Sequence, residues 1–312
     1  MKILMTGGAG FIGSHIADAY IAQGHKVIIV DDLSTGKKEF INQKAKFVHL
    51  DISDADKLET VFKKFGPFDI INHHAAQKSV TASTKNPTLD AKINILGTLN
   101  LLECAKRYNV KKFIFASTGG ALYGDGVVLP TPEDAQIAPI SPYGIAKFSV
   151  ENYLRYYDLQ GVKSIILRYG NVYGPRQDPH GEAGVVAIFC NNILRSQNIY
   201  IFGDGKQTRD FVYVSDVVRA NLLASKSDRF GTYNVGTGNQ TSVNDLAQTL
   251  IEISQKYSFG KAETIHADQR VGELQKSALN CDRIFSSLGW QPKTDLQKGL
   301  ETTFASFYQS IK

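Results

Sequence analysis

The chain has 312 residues, of which 43% are hydrophobic and 21% charged, and its formal net charge is +5. That balance fits a folded globular protein with a full core and excludes a disordered or collagen-like chain. No run approaches the ~18 apolar residues of a membrane span, and the lysines and arginines form no stripe that would track nucleic acid, so neither partner is expected.

In chain order, short β-branched runs alternate with helical periodicity. Ile3–Thr6 reads as a strand, and Phe11–Gln23 as a helix with Ile12, Ile16 and Ala19 on one face. Strands Lys26–Asp31 and Lys46–Leu50 follow, then helix Ala55–Phe65 and strand Phe68–His73. A long helix Thr88–Tyr108, strand Lys111–Ala116, a second long helix Pro142–Gln160 and strand Ser164–Tyr169 complete the first half. Apolar strands separated by helices predict an α/β fold, a doubly wound parallel sheet over residues 1–170. Past Gly170 the regularity fades, with a polar loop at Gly174–Gly184 and an amphipathic helix at Val185–Arg195. A smaller substrate-binding lobe, 171–312, is expected to pack directly on the first, with elements at about 208–236 returning to the sheet.

Cys104, Cys190 and Cys281 lie far apart and form no CxxC pair. They predict a reduced compartment, no disulfide framework and no metal site. The opening stretch MKILMTGGAG is too short for a signal-peptide core, so a cytoplasmic location is the expectation.

The first strand runs into Thr6-Gly7-Gly8-Ala9-Gly10-Phe11-Ile12-Gly13. Gly7 permits the tight turn, Gly10 lets backbone approach a pyrophosphate, and Gly13 lets the helix pack on the sheet. The helix N-terminus presents N–H groups to the phosphates. Asp31 ends the second strand, 18 residues past Gly13. A carboxylate there binds ribose hydroxyls and repels the extra phosphate of NADP, so NAD is the predicted cofactor; Lys37 and Lys38 follow soon after and keep NADP as the disfavoured alternative. Further on, Tyr143 and Lys147 stand four apart on one helix face. An ammonium beside a phenol favours the phenolate, which makes Tyr143 a proton acceptor for an alcohol or sugar hydroxyl. Ser117 and Thr118 close the fifth strand, where ligands bind in such sheets.

Together these residues resemble the extended short-chain dehydrogenase/reductase family, nearest its nucleotide-sugar 4-epimerases. The resemblance covers nearly the whole chain: TGGAGFIGSH at 6–15, HHAAQKSV at 73–80, NILGT at 94–98, STGGALYG at 117–124, SPYGIAK at 141–147, LRYGNVYGPRQ at 167–177, GDGKQTRDFVYVSDV at 203–217 and RVGELQKS at 270–277. It implies tightly held NAD lined by Phe11, Ile12, Asp31, Asp32, Ser34, Gly36, Asp51, Ile52, Ala75, Ala76, Lys78, Asn94, Tyr143, Lys147 and Tyr169. It implies a UDP-sugar contacted by Lys78, Thr118, Tyr143, Asn171, Val186, Arg209, Arg270, Glu273 and Ser277.

The implied chemistry is hydride removal from sugar carbon 4, rotation of the 4-keto sugar, and hydride return to the other face. Tyr143 is the implied base, Lys147 its partner, and Thr118, with Ser117 as the second candidate, the hydroxyl that bonds the same oxygen. Small Ser277 implies that UDP-GlcNAc and UDP-GalNAc are accepted beside UDP-glucose and UDP-galactose. The resemblance also implies a homodimer paired through the two long helices, with Tyr153, Leu154 and Tyr157 as apolar contacts.

The chain departs from the family pattern in two places. Four residues separate Thr118 from Tyr123 where many relatives have three, which on strict spacing puts Gly119 at the hydroxyl's position. Gly119 and Gly120 stand where 4,6-dehydratases carry an acidic pair, and the Glu of uronate decarboxylases is missing, so neither activity is expected. A UDP-glucuronate 4-epimerase or another nucleotide-sugar enzyme of the family is the alternative, and a non-catalytic NAD-binding protein the least expected.

Overall fold

The first strand sets the pattern, because its alternate residues face opposite ways. The computed structural model describes residues 1–180, 184–259, 262–269 and 274–311. β1 (Lys2–Thr6) leads through the glycine loop to α1 (Phe11–Ala22), β2 (Lys26–Asp31), β3 (Lys46–His49), α2 (Ala55–Phe65) and β4 (Ile70–His73). α3 (Val80–Lys85) and α4 (Pro87–Ala91) follow, and α4 runs through a π-helical turn, Lys92–Leu96, into α5 (Gly97–Arg107). The predicted helix Thr88–Tyr108 is therefore one rod with a widened turn inside it. Asn86 caps it by accepting from Leu89 N, and Pro87 occupies the first turn.

β5 (Lys112–Thr118), α6 (Pro142–Leu159) and β6 (Lys163–Tyr169) come next. β5 outruns its predicted end at Ala116, since Ser117 and Thr118 still pair with Arg168 and Tyr169. The rest comprises β7 (Asn171–Tyr173), α7 (Val185–Leu194), β8 (Ile199–Phe202), β9 (Thr208–Arg209), β10 (Phe211–Tyr213), α8 (Val214–Lys226) and β11 (Gly231–Val235). β12 (Thr241–Ser242), α9 (Val243–Gln255), β13 (Thr264–Ala267), α10 (Asp282–Leu288) and α11 (Leu296–Ser310) follow.

Seven parallel strands form the central sheet in the order β11-β6-β5-β4-β1-β2-β3. Leu4, Phe113, Phe115 and Ile166 face Leu58, Phe62, Leu101, Val150 and Leu154 of α2, α5 and α6. Ile3, Met5, Ile114 and Leu167 face Ile16, Tyr20, Val217 and Ala220 of α1 and α8. Helices cover both faces, as the α/β doubly wound reading requires. A separate apolar cluster joins α7, α9 and α11 to β8 and Phe211. Strand order reverses between β1 and β4, which opens a crevice at their carboxyl ends.

One sequence expectation is corrected here. Leu154 and Tyr157 are buried against the protein's own core, at 0% and 4% exposure, and are not available to a partner. The helix stripe they occupy faces the sheet, whereas Tyr153 and Tyr156 are exposed.

Candidate active site at the carboxyl edge of the sheet

The glycine loop is a cradle that side chains would fill. Gly7 has φ +68°, and a Cβ there would lie 2.5 Å from Ala75 N. A Cβ on Gly13 would lie 2.1 Å from Gly7 O. Gly10 caps α1 without a side chain, and no acidic residue stands in its first turn. The N–H groups of Phe11, Ile12 and Gly13 therefore face the loop with no helical acceptor. Asp31 closes the mouth: Oδ2 accepts from Ala9 N and Oδ1 from Leu33 N, both at 2.9 Å. Burial raises its pKa, while these two N–H groups pull it down. Each oxygen keeps a lone pair for a further donor.

Around it, Asp32 Oδ1 accepts from Ser34 N and Oγ, and a Cβ on Gly36 would reach Asp31 Oδ1 at 2.7 Å. Asp51 accepts from Ser53, and Ile52 is buried beneath Gly97. Ala75, Ala76 and Lys78 lie in the loop after β4, with Lys78 exposed. Asn94 sits in the π-helical turn, and its amide binds Gln77 N, Gln77 O and Asp90 Oδ1. Of these, Asp31, Ile52 and Asn94 are buried, whereas Asp32, Ser34, Asp51 and Lys78 are exposed.

Ser141 caps α6 by accepting from Gly144 N at 3.1 Å, and Pro142 follows it. Tyr143, Lys147 and Glu151 then recur every fourth residue and face the sheet. Lys147 Nζ donates to Ala116 O at 3.0 Å and lies 5.9 Å from the centre of the Tyr143 ring. Burial pulls the Lys147 ammonium down to about 8, against the opposing charges of Asp90 and Glu151. Burial, with Asp90, pushes the Tyr143 phenol up. In this chain alone, burial and the Asp90 carboxylate thus disfavour the phenolate. Among the described residues the Tyr143 hydroxyl has no hydrogen bond.

The end of β5 separates two hydroxyls. Ser117 Oγ donates to Glu151 Oε1 at 2.6 Å, and Arg168 grips both Glu151 oxygens at 2.9 and 2.6 Å. Arg168 also donates to Tyr123 Oη at 2.7 Å, and Tyr123 donates to Asn234 Oδ1 at 3.0 Å. Half-buried Thr118 stays outside this network. Tyr169 ends β6, its hydroxyl bonded to Asn221 Nδ2 and His74 Nε2 and its ring stacked on His74.

On the far side, Asn171 N donates to Asp210 O at 2.7 Å. Arg209 lies in β9 opposite Thr241, and Ser277 N donates to Thr208 O. Asp210, 0% exposed, accepts from Thr237, Gly238 and Leu279 and so pins these segments together. Val186 packs inside the α7 cluster. Arg270 and Glu273 lie outside the described residues. No metal-binding cluster of three or more ligating side chains occurs among the described residues.

Sequence reading missed Glu151, Arg168, Asp210 and Asp90. Two signals were available: Glu151 continues the four-residue interval of Tyr143 and Lys147, and Arg168 is a charge inside an apolar strand, which needs a buried partner.

A family model described as "NAD dependent epimerase/dehydratase family" matches residues 3–236. The chain is 47% identical over 301 residues to a putative UDP-glucose 4-epimerase of Methanocaldococcus jannaschii, covering 96% of each. It superposes with a TM-score of 0.97 on a UDP-glucose 4-epimerase of Thermotoga maritima solved with UDP-glucose, at 49% identity and full coverage of both chains. A UDP-glucose 4-epimerase of Thermus thermophilus solved with NAD superposes at 0.92, with 41% identity and coverage of 98% and 99%. No helix among the described residues is long and apolar enough to cross a membrane. With the glycine cradle, Asp31 and the Tyr143–Lys147 pair on one edge of the sheet, and with these matches along its length, the chain belongs to the NAD-dependent epimerase/dehydratase family.

Proposed function

We propose that the protein is an NAD-dependent 4-epimerase of UDP-hexoses, acting on UDP-glucose and UDP-galactose and also on UDP-GlcNAc and UDP-GalNAc. The observation that carries this reading is the Tyr143–Lys147 pair on the same carboxyl edge as the glycine cradle. The cradle fits the cofactor: where Gly7 and Gly13 stand, a Cβ would collide with backbone. The open first turn of α1 suits a pyrophosphate, and Asp31 suits the ribose hydroxyls. When bound, NAD supplies the hydride acceptor and donor.

The chain's own residues do the rest. Tyr143 takes the proton of the sugar 4-hydroxyl and later returns it. Lys147, as ammonium, steadies the phenolate, and Thr118 bonds the same oxygen. Asn171, Arg209 and Arg270 hold the diphosphate and Glu273 the ribose while the sugar turns; arginine forks match phosphate oxygens. Ser277, 6% exposed and small, leaves room for an acetamido group.

We read residues 1–170, with about 208–236, as the cofactor lobe and the rest of 171–312 as the sugar-nucleotide lobe. A homodimer through α5 and α6 is supported by exposed Ile145, Tyr153 and Tyr156 on α6. Unpaired Cys104, Cys190 and Cys281 support a cytoplasmic location.

The test is proton NMR of purified protein with UDP-galactose, UDP-GalNAc or UDP-glucuronate in separate tubes and no added NAD. The reading predicts the 4-epimer in the first two tubes. Conversion of UDP-glucuronate alone makes the protein a uronate epimerase. No conversion in any tube, with NAD then supplied, makes it a non-catalytic binder.

A further inference from the structure

Gly119 follows Thr118 at the end of β5, where the backbone does not call for a glycine. Its φ is not positive, and its N–H donates to Tyr169 O at 2.7 Å, continuing the pairing of β5 with β6. What the position lacks is room. A Cβ on Gly119 would lie 2.5 and 2.6 Å from Leu279 Cδ1 and Cδ2, and 3.1 Å from Leu279 Cγ. A side chain there requires Leu279 to give way.

Leu279 has little freedom to do so. It is 1% exposed, and its N–H donates to Asp210 Oδ2 at 3.0 Å. Asp210 is fixed in turn, because it also accepts from Thr237 N, Thr237 Oγ1 and Gly238 N in the turn after β11. That turn closes one side: a Cβ on Gly236 would lie 3.2 Å from Leu279 Cβ. On the other side Thr131 N donates to Ala278 O at 2.8 Å, and Asn280 N donates to Thr131 O at 2.9 Å. Two residues before Leu279, Ser277 N donates to Thr208 O at 3.2 Å. Leu279 is therefore held by backbone bonds on both flanks, with its side chain against the residue that follows Thr118.

We propose that Leu279 is a positioning residue: held by Asp210, its side chain locks over Gly119 and fixes the strand end that carries Thr118 against the segment that carries Ser277. Position 119 is glycine because Leu279 fills the volume its side chain would take. The same contact bears on the unusual spacing of this stretch. A hydroxyl-bearing side chain at 119 would meet Leu279, so the hydroxyl falls to Thr118. The consequence for turnover rests on the reading of Thr118 and Ser277 as sugar contacts; the lock itself does not.

The experiment is a double-mutant cycle of Gly119→Ala and Leu279→Ala. It is read by melting temperature and by the Thr118 methyl NMR signal in protein carrying carbon-13 threonine methyls, assigned by its absence in Thr118→Ala. In the wild-type background Gly119→Ala is expected to lower the melting temperature by ~3 °C or more and to shift the methyl signal. In Leu279→Ala the added methyl enters vacated space. There the same substitution is expected to leave the melting temperature unchanged or raise it, and to move the signal far less. Equal effects in both backgrounds, or none in either, overturn the proposal. A coupled melting temperature with an uncoupled methyl signal makes Leu279 packing alone and overturns it as well. If Gly119→Ala does not fold, a folded double variant is the expected rescue, and a double variant that fails where Leu279→Ala folds overturns the proposal. Leu279→Val serves as the background if Leu279→Ala does not fold. These readouts need no turnover, so a failure here is distinct from a failure to epimerise any UDP-sugar. In an active protein Leu279→Ala is expected to lower kcat about tenfold or more, while UDP affinity by calorimetry holds within about twofold. An unmoved kcat overturns the positioning role.

Discussion

Ser117 Oγ donates to Glu151 Oε1 at 2.6 Å, while the neighbouring Thr118 hydroxyl lies outside that network. Two adjacent hydroxyls at one strand end thus differ in their partners. Ser117 ties β5 to α6, and the hydroxyl proposed to bond the sugar is that of Thr118. Ser117→Ala should cost ~1–3 kcal/mol of stability, because Glu151 loses a buried donor. Its kcat should stay within several-fold. Thr118→Ala should show the reverse, an unchanged melting temperature and a fall in kcat of about a hundredfold. Melting curves and steady-state rates for both variants decide the matter. A larger kcat loss in Ser117→Ala would exchange the two roles.

Tyr143→Phe removes one oxygen and keeps the ring. Epimerisation should fall by ~10²–10⁴, the usual worth of a positioned acid–base group. UDP affinity, measured by calorimetry, should not change. A variant retaining a tenth of wild-type kcat would remove Tyr143 from the proton transfer.

Gly13→Ala should empty the cofactor cradle. Its Cβ would lie 2.1 Å from Gly7 O, and the obstacle is backbone, which cannot swing aside. Protein purified without added NAD should carry little cofactor by acid extraction and absorbance, and should melt lower than wild type. Full retention of NAD would place the cofactor elsewhere.

Ser277→Tyr tests sugar selection. Bulk at this small, buried position should sharply cut turnover of UDP-GalNAc and spare UDP-galactose. Competition between the two substrates in one tube measures the ratio directly. Equal loss on both would detach Ser277 from the acetamido group.

The fold and the cofactor cradle were legible because their signals are local. Three glycines at fixed intervals, an aspartate at a strand end and Tyr143 four residues before Lys147 each specify geometry within one turn or one loop. Apolar strands alternating with helices gave the parallel sheet for the same reason. What stayed hidden joins distant segments. Ser117 could be placed at the end of β5, but its partner Glu151 lies 34 residues on, and Arg168 arrives from another strand. Asn94 was read from its motif, while its grip on Gln77 and Asp90 depends on the π-helical turn that no propensity announces. Leu154 and Tyr157 were recognised as an apolar stripe, yet periodicity does not say whether such a stripe meets the sheet or a second chain. The sheet won.

On the proposed mechanism the hydrogen at sugar carbon 4 leaves and returns within one site. UDP-galactose deuterated at carbon 4, converted in ordinary water, tests this most directly. The expected product is UDP-glucose that keeps its deuterium at carbon 4, read by mass spectrometry and NMR. Product carrying a solvent hydrogen at that carbon would contradict it.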